Sequence, residues 1–283
     1  MVAPAGVNPH SEISVFRKFV LGRKGQKSPL LDIMMVVVLG GAMLWATLRG
    51  AASMGYNWQW YRVPKYFWRY VDGELVWGEF VHGVLVTLEI AAWAVLISVA
   101  VGLLTALFKM SNSMAGRVLA MVYLEGIRNT PLLVQIYLMY FVISPIIGID
   151  RLWTGIIALA LYEGSFAAEI IRSGIESVER GQWEAAASIG LTQRDTYRYV
   201  VLPQAIPIML PPLTGLFVNL IKHSSIVSVI AIFDLTTEGR NIIADTFLSF
   251  EIWFTIAAIY LSMTITLSSV VNYMEYRLRK RSW

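Results

Sequence analysis

Cysteine is absent from the chain, which removes a disulfide framework, a thiolate nucleophile and every Cys-based zinc site. Histidine is nearly as scarce. His10, His82 and His223 stand far apart, so no HExxH-type metal pair can form. Charge is thin as well: Lys, Arg, Asp and Glu make up 15% of 283 residues, against about 25% in soluble domains. A phosphate-binding loop is also missing. Gly22-Arg-Lys-Gly-Gln-Lys-Ser28 lacks the four-residue spacing between glycines and the Gly-Lys pair that such a loop needs. Nor is there a Ser/His/Asp set or metal cluster to suggest an intramembrane enzyme. What the chain has in excess is apolar surface, at 57% hydrophobic residues, and that describes an integral membrane protein.

The apolar residues fall into runs. Residues 1–29 form a basic tail, with Arg17, Lys18, Arg23, Lys24 and Lys27 against Glu12, expected on the cytoplasmic side by the positive-inside rule. No small-residue cleavage pattern closes the first apolar run, so the tail is not read as part of a cleavable signal. Residues 30–50 are about long enough for one spanning helix, which takes roughly 20 residues. Residues 51–82 hold Trp58, Trp60, Tyr61, Tyr66, Phe67, Trp68, Tyr70 and Trp77 among Arg62, Lys65 and Arg69. Aromatic amphiphiles prefer the headgroup layer, so this is expected to lie on the outer interface. An aromatic and basic mix also suits single-stranded nucleic acid, but its place between two spans argues against that, and no nucleic-acid partner is expected.

Five more runs follow between residues 83 and 276: Gly83 to Phe108, Val118 to Ile147, Leu152 to Ile171, Ile206 to Ile232 and Ile252 to Val271. Glu125, Arg128 and Pro131 disturb the second; Pro207, Pro211 and Pro212 break the fourth. Residues 277–283 are again basic. Six spans put both termini in the cytoplasm, and 15 of the 23 Lys and Arg residues then fall inside. The net charge of +4 thus reads as topology rather than phosphate binding.

Residues 181–203 are the longest polar interruption in the second half. Gln182 to Ile189 predicts a short helix, Gly190 the residue just past its end, and Thr192-Gln-Arg-Asp195 the capped start of a second helix that Pro203 stops. Taken by itself this is either a connecting hairpin or a knob for another protein, with Glu184 projecting a charge.

Glu184-Ala185-Ala186, then Gly190, then Leu202-Pro203 resembles the cytoplasmic EAA signature of permease subunits of ATP-binding-cassette (ABC) importers. Arg128-Asn-Thr-Pro-Leu-Leu-Val-Gln135, Ala168-Glu169-Ile-Ile-Arg172, Gly181-Gln-Trp-Glu184 and Leu202-Pro-Gln-Ala205 are similar to the polar amino-acid branch of that family. The resemblance implies an all-α integral membrane protein with the type I ABC importer permease fold: five core transmembrane helices, here with one extra N-terminal helix. It also implies a bacterial inner-membrane location and no enzymatic activity of the chain's own. The partners implied are a second permease subunit, identical or homologous, a cytoplasmic ABC ATPase dimer, an external amino-acid-binding protein and membrane lipid. No cofactor is expected on this chain; ATP and magnesium belong to the ATPase, which would dock on Glu184, Ala185, Ala186, Gly190, Leu202 and Pro203. A gradient-driven secondary transporter, with Glu125 and Glu163 as proton carriers, is the competing reading.

Charges within apolar runs must face protein or a watery cavity. Glu125 and Arg128, three residues apart, can form a structural ion pair. Alternatively, Arg128 or the broken turn at Thr130-Pro131 faces the substrate path. Tyr162, Ser165 and Glu169 share a helix face, and Glu163 points roughly 100° from Tyr162. Glu169 suits a structural or gating contact. Glu163 suits the amino group or basic side chain of a substrate, or pairing with Lys222; Phe166 completes the expected path. Where the family commonly has an acidic residue this chain has His223, and Phe166 replaces a Tyr, so the substrate stays open.

Overall fold

The computed structural model describes residues 29–279; the expected basic tails lie almost wholly outside the described residues, and with them the side on which the termini sit. The chain divides into two units, residues 1–58 and 59–283. The first contains α1, Pro29–Ser53. From residue 33 to 47 its side chains are exposed all round, and a helix apolar on every side is one made for lipid.

The second unit is a helical bundle. Its helices are α2 (Glu79–Met110), α3 (Met114–Arg128), α4 (Leu132–Ile147), α5 (Arg151–Glu176), α6 (Arg180–Ser188), α7 (Gln193–Ile230), α8 (Leu235–Thr246) and α9 (Ser249–Arg279). Among the described residues α1, α2, α5, α7 and α9 are long and apolar enough to cross a membrane, and α3 with α4 makes a sixth only as a pair bent by 109°. The single run expected over 118–147, disturbed at Pro131, is therefore corrected to two helices. Pro131 offers no N–H and holds its predecessor out of the helical region, so α3 ends at Arg128.

Helix α5 is the axis, with two thirds of its apolar window buried. Small residues bring α2 against it: a Cβ on Gly102 would lie 2.7 Å from the Ala167 Cβ, the close approach by which membrane helices gain contact. Ile90, Ala94, Ile136, Ile156, Leu159 and Leu220 fill the centre. At one end Phe80, Leu235, Leu248 and Ile252 form a second core, and at the other Ala106, Ile171, Ile175, Val201 and Ala205 a third.

Pro203 does not stop the helix it was expected to stop. One α turn at Gln193–Asp195 passes through a π turn at Thr196–Val201 into an α-helix from Leu202 to His223. Pro203 sits in the first turn of that α segment, where a missing N–H is tolerated. Helix α8 escaped sequence reading altogether. Its cap, Asp234, is fully buried and accepts the amides of Thr237 and Thr236 at 3.0 and 3.2 Å. Burial pushes the Asp234 carboxyl above the usual carboxylate range, while those amides pull it back.

The aromatic stretch before α2 forms two 3-10 turns, Trp60–Arg62 and Pro64–Tyr66. A hairpin follows, of β1 (Trp68–Val71) and β2 (Glu74–Trp77). Asp72 and Gly73, both at positive φ, make the two-residue turn that matches strand twist. The all-α expectation thus holds for the bundle and is amended by this one antiparallel pair.

Candidate functional site

Midway along α5 a carboxylate is enclosed. Glu163 is 2% exposed, and its Oε1 lies 2.6 Å from Nδ1 of His223, on the last turn of the α segment of α7. This contact is an ion pair when the imidazole is protonated and a hydrogen bond when it is neutral. Aromatic rings continue from it. The Tyr162 ring stands edge-on to His223 at 6.0 Å and packs against Phe166 at 5.2 Å; the Arg128 guanidinium lies 5.3 Å from the centre of the Phe166 ring, within cation–π range. Arg128, Phe166, Tyr162, Glu163 and His223 thus form one continuous chain of contacts across α3, α5 and α7.

Two proposed pairings are not made. Lys222 is exposed, and His223, one residue on, is the group that meets Glu163; on a helix consecutive side chains diverge by about 100°, so one of the two must turn away. Glu125 binds the Asn129 side-chain amide at 2.7 Å, leaving Arg128 to the Phe166 ring. Ser165 is buried and its hydroxyl donates to the Tyr162 carbonyl at 2.7 Å, a local bond within α5 that occupies its proton. Thr130 donates to the Gly126 carbonyl at 2.9 Å.

Gln135 holds the bend between α3 and α4. The two protons of its side-chain amide are shared among the Ile127 carbonyl at 2.7 Å, the Thr130 carbonyl at 3.0 Å and the Thr130 hydroxyl at 2.7 Å, which adds donors to carbonyls at the break in the helix. Together with His223 it is a position in the candidate site that charge-based reading passed over. The Gln135 signal was its place four residues after a proline.

At the third core the arrangement changes from aromatic to ionic. Glu169 of α5 accepts from Lys109, in the last turn of α2, at 2.5 Å and from Arg172 at 2.7 Å; Arg172 also pairs with Glu176. Beyond this clasp α6 stands out from the bundle. Glu184 is exposed and paired with Arg180 at 3.0 Å, Ala185 is exposed, and Ala186 faces inward at 2% exposure. Gly190 ends the helix at φ +79°. There the Leu191 amide reaches the Ala186 carbonyl at 3.1 Å and the Gly190 amide reaches that of Ala187 at 3.0 Å, a Schellman closure. Thr192 caps the next turn by accepting the Asp195 amide at 3.2 Å. Trp183 packs edge-on to Tyr197 at 5.2 Å, and both rest on the core of Val201, Ile171 and Ile175. Leu202 is half-buried and Pro203 exposed. The result is a knob with a free outer face and a root in α5 and α7.

The family described as the inner membrane component of binding-protein-dependent transport systems matches residues 98–281. The chain belongs to this family. The permease is 38% identical over 215 residues to the probable glutamine ABC transporter permease protein of Bacillus subtilis, covering 76% of this chain and 95% of that one. It is 33% identical over 214 residues to the glutamine transport system permease protein of Escherichia coli K12, covering 74% of this chain and 98% of that one. Among solved structures it is similar to an amino acid ABC transporter crystallised with histidines, at 43% identity, TM-score 0.66, 70% of this chain and 94% of that one. Membership sets aside the gradient-driven alternative. Residues 98–281, which the family model matches, include α5, α6 and α7, so the chain of side chains around Glu163 and the α6 knob both belong to the shared permease part.

Proposed function

We propose that the permease imports a polar or charged amino acid by alternating access, driven by a separate cytoplasmic ATPase dimer that holds ATP and magnesium. The observation that carries the motor half is the α6 knob. Its exposed Glu184 and Ala185 suit a cleft on a partner, its Schellman closure makes it rigid, and its root in the third core joins it to α5. A push on the knob is passed to the helix that carries Glu163. This supports docking through Glu184, Ala185, Ala186, Gly190, Leu202 and Pro203; on this reading the knob and both termini face the cytoplasm of a bacterial inner membrane, as the excess of Lys and Arg on that side favours, and an external binding protein delivers cargo. A second permease subunit, identical or homologous, would complete the pathway.

The cargo half rests on chemistry. A zwitterion needs an anionic and a cationic partner with little water between, and Glu163 and Arg128 stand at the two ends of the Tyr162 and Phe166 rings. His223 holds Glu163 in this structure, so an amino or guanidinium group would enter by displacing the imidazole. The relatives named for glutamine and the structure containing histidines favour an amino acid as cargo.

Docking is tested with Glu184→Lys. The Arg180–Glu184 pair is exposed and contributes little to folding, so the variant should fold. It should no longer copurify with its ATPase or stimulate ATP turnover, while the external protein still captures cargo. Full copurification with undiminished stimulated turnover would remove the knob from the coupling path.

A further inference from the structure

The hairpin of β1 and β2 precedes residues 98–281, which the family model matches, and the function proposed above does not use it. Its register pairs Trp68 with Trp77, Arg69 with Val76, Tyr70 with Leu75 and Val71 with Glu74. Directly opposed residues share a face, so Trp68, Tyr70, Leu75 and Trp77 lie on one side and Arg69, Val71, Glu74 and Val76 on the other. The first face is wholly aromatic and aliphatic, yet 51%, 75%, 47% and 53% exposed in that order. An isolated two-stranded hairpin is marginal in water and needs a surface to lie on.

We propose that this face is an interfacial lipid anchor, seated in the phospholipid headgroup layer beside the start of α2. Four observations select lipid as the occupant. First, the hairpin is mounted rigidly on the first turn of a helix long enough to cross a bilayer. The Gly78 amide donates to the Phe67 carbonyl at 2.8 Å, a side chain on Gly78 would collide with the Tyr66 carbonyl, and the Phe67 and Phe80 rings pack at 5.1 Å. The hairpin therefore sits where α2 meets the membrane surface. Second, Trp and Tyr are the side chains that partition to that depth, with an apolar body and a polar tip. Third, an apolar groove of about 450 Å³, lined by Trp60, Val63, Pro64, Phe67 and Trp68, continues the face through Trp68 and offers room for the upper acyl carbons. Fourth, the opposite face carries the charges, with Arg69 turned back onto Glu79 at 3.0 Å, so only one side of the sheet can lie down on lipid.

The inference depends on α2 crossing the membrane and not on the motor or the cargo. Because the chain has no cysteine, single substitutions give unique labels. Leu75→Cys on the aromatic face and Val76→Cys on the other are labelled with an environment-sensitive fluorophore in the full chain in phospholipid nanodiscs, with Tyr70→Cys as a second probe of the aromatic face. Quenching by lipid nitroxide near the headgroup should be several-fold stronger at Leu75 and Tyr70 than at Val76, and iodide quenching correspondingly weaker. Equal iodide access on both faces overturns the proposal. So does shielding of Leu75 and Tyr70 from iodide without lipid quenching, which would assign the face to a protein contact.

Discussion

Glu163 is a carboxylate enclosed in a bundle of apolar helices, and a group of that kind persists only with a partner to offset its desolvation. His223 is that partner here. Replacing Glu163 with Gln keeps the shape and removes the charge, so the proposed bond to a cargo cation loses its charge assistance, roughly 1.5–3 kcal/mol, which corresponds to a fall in uptake of about tenfold to a hundredfold. Assembly with the ATPase and basal hydrolysis should persist, because the knob is untouched. Unchanged uptake by Glu163→Gln in proteoliposomes would take Glu163 out of the cargo path. At this scale the sequence marked Glu163 as a buried charge awaiting a partner and offered a substrate cation or Lys222 for the role, not His223. Adjacent residues on α7 differ by a third of a turn, and only the crossing of α5 and α7 decides which of the two faces inward.

The element that most departs from sequence expectation is the bent pair of α3 and α4. Pro131 announces a break, but a proline alone permits anything from a gentle kink to a full reversal. The 109° bend is held by Gln135, whose amide contacts to Ile127 and Thr130 depend on the bent geometry. In Gln135→Leu the Thr130 carbonyl loses its side-chain donor, while the Ile127 carbonyl keeps only the longer contacts from the Thr130 hydroxyl and amide at 3.3 and 3.4 Å, a loss of roughly 2 kcal/mol at about 1 kcal/mol for each of the two amide protons. The purified variant should inactivate at a temperature several degrees lower, and increased protease access should map to residues 128–132. An unchanged thermal midpoint would mean that packing of α4 alone sets the angle. Helix α8 was missed for a related reason. Its 12 residues are too polar for a span and follow directly on an apolar run, so only the buried Asp234 cap and its seat between α2 and α9 make it an element.

For the whole molecule the decisive property is the separation of the proposed cargo path from the proposed motor contact. Glu163 lies midway along α5, while α6 follows the far end of the same helix, with the Lys109–Glu169–Arg172 clasp between them. Transport driven through that lever should require ATP and the external binding protein in everted or reconstituted vesicles and should continue when an ionophore collapses the ion gradients. Uptake that stops with the gradient while ATP is present would contradict the assignment. By itself the sequence determined that the chain is a membrane protein, where most of its spans fall, and which polar segment resembles the EAA signature. Hydropathy, side-chain charge and local capping are properties of consecutive residues and need no partner. Tertiary structure alone decided that His223 holds Glu163, that Gln135 fixes the bend, that Pro203 lies within a continuing helix and that an aromatic hairpin face is left open beside α2. Each of these depends on groups distant in sequence being brought within a few ångströms, or on which side of an element is left uncovered, and those relations exist only once the helices have packed.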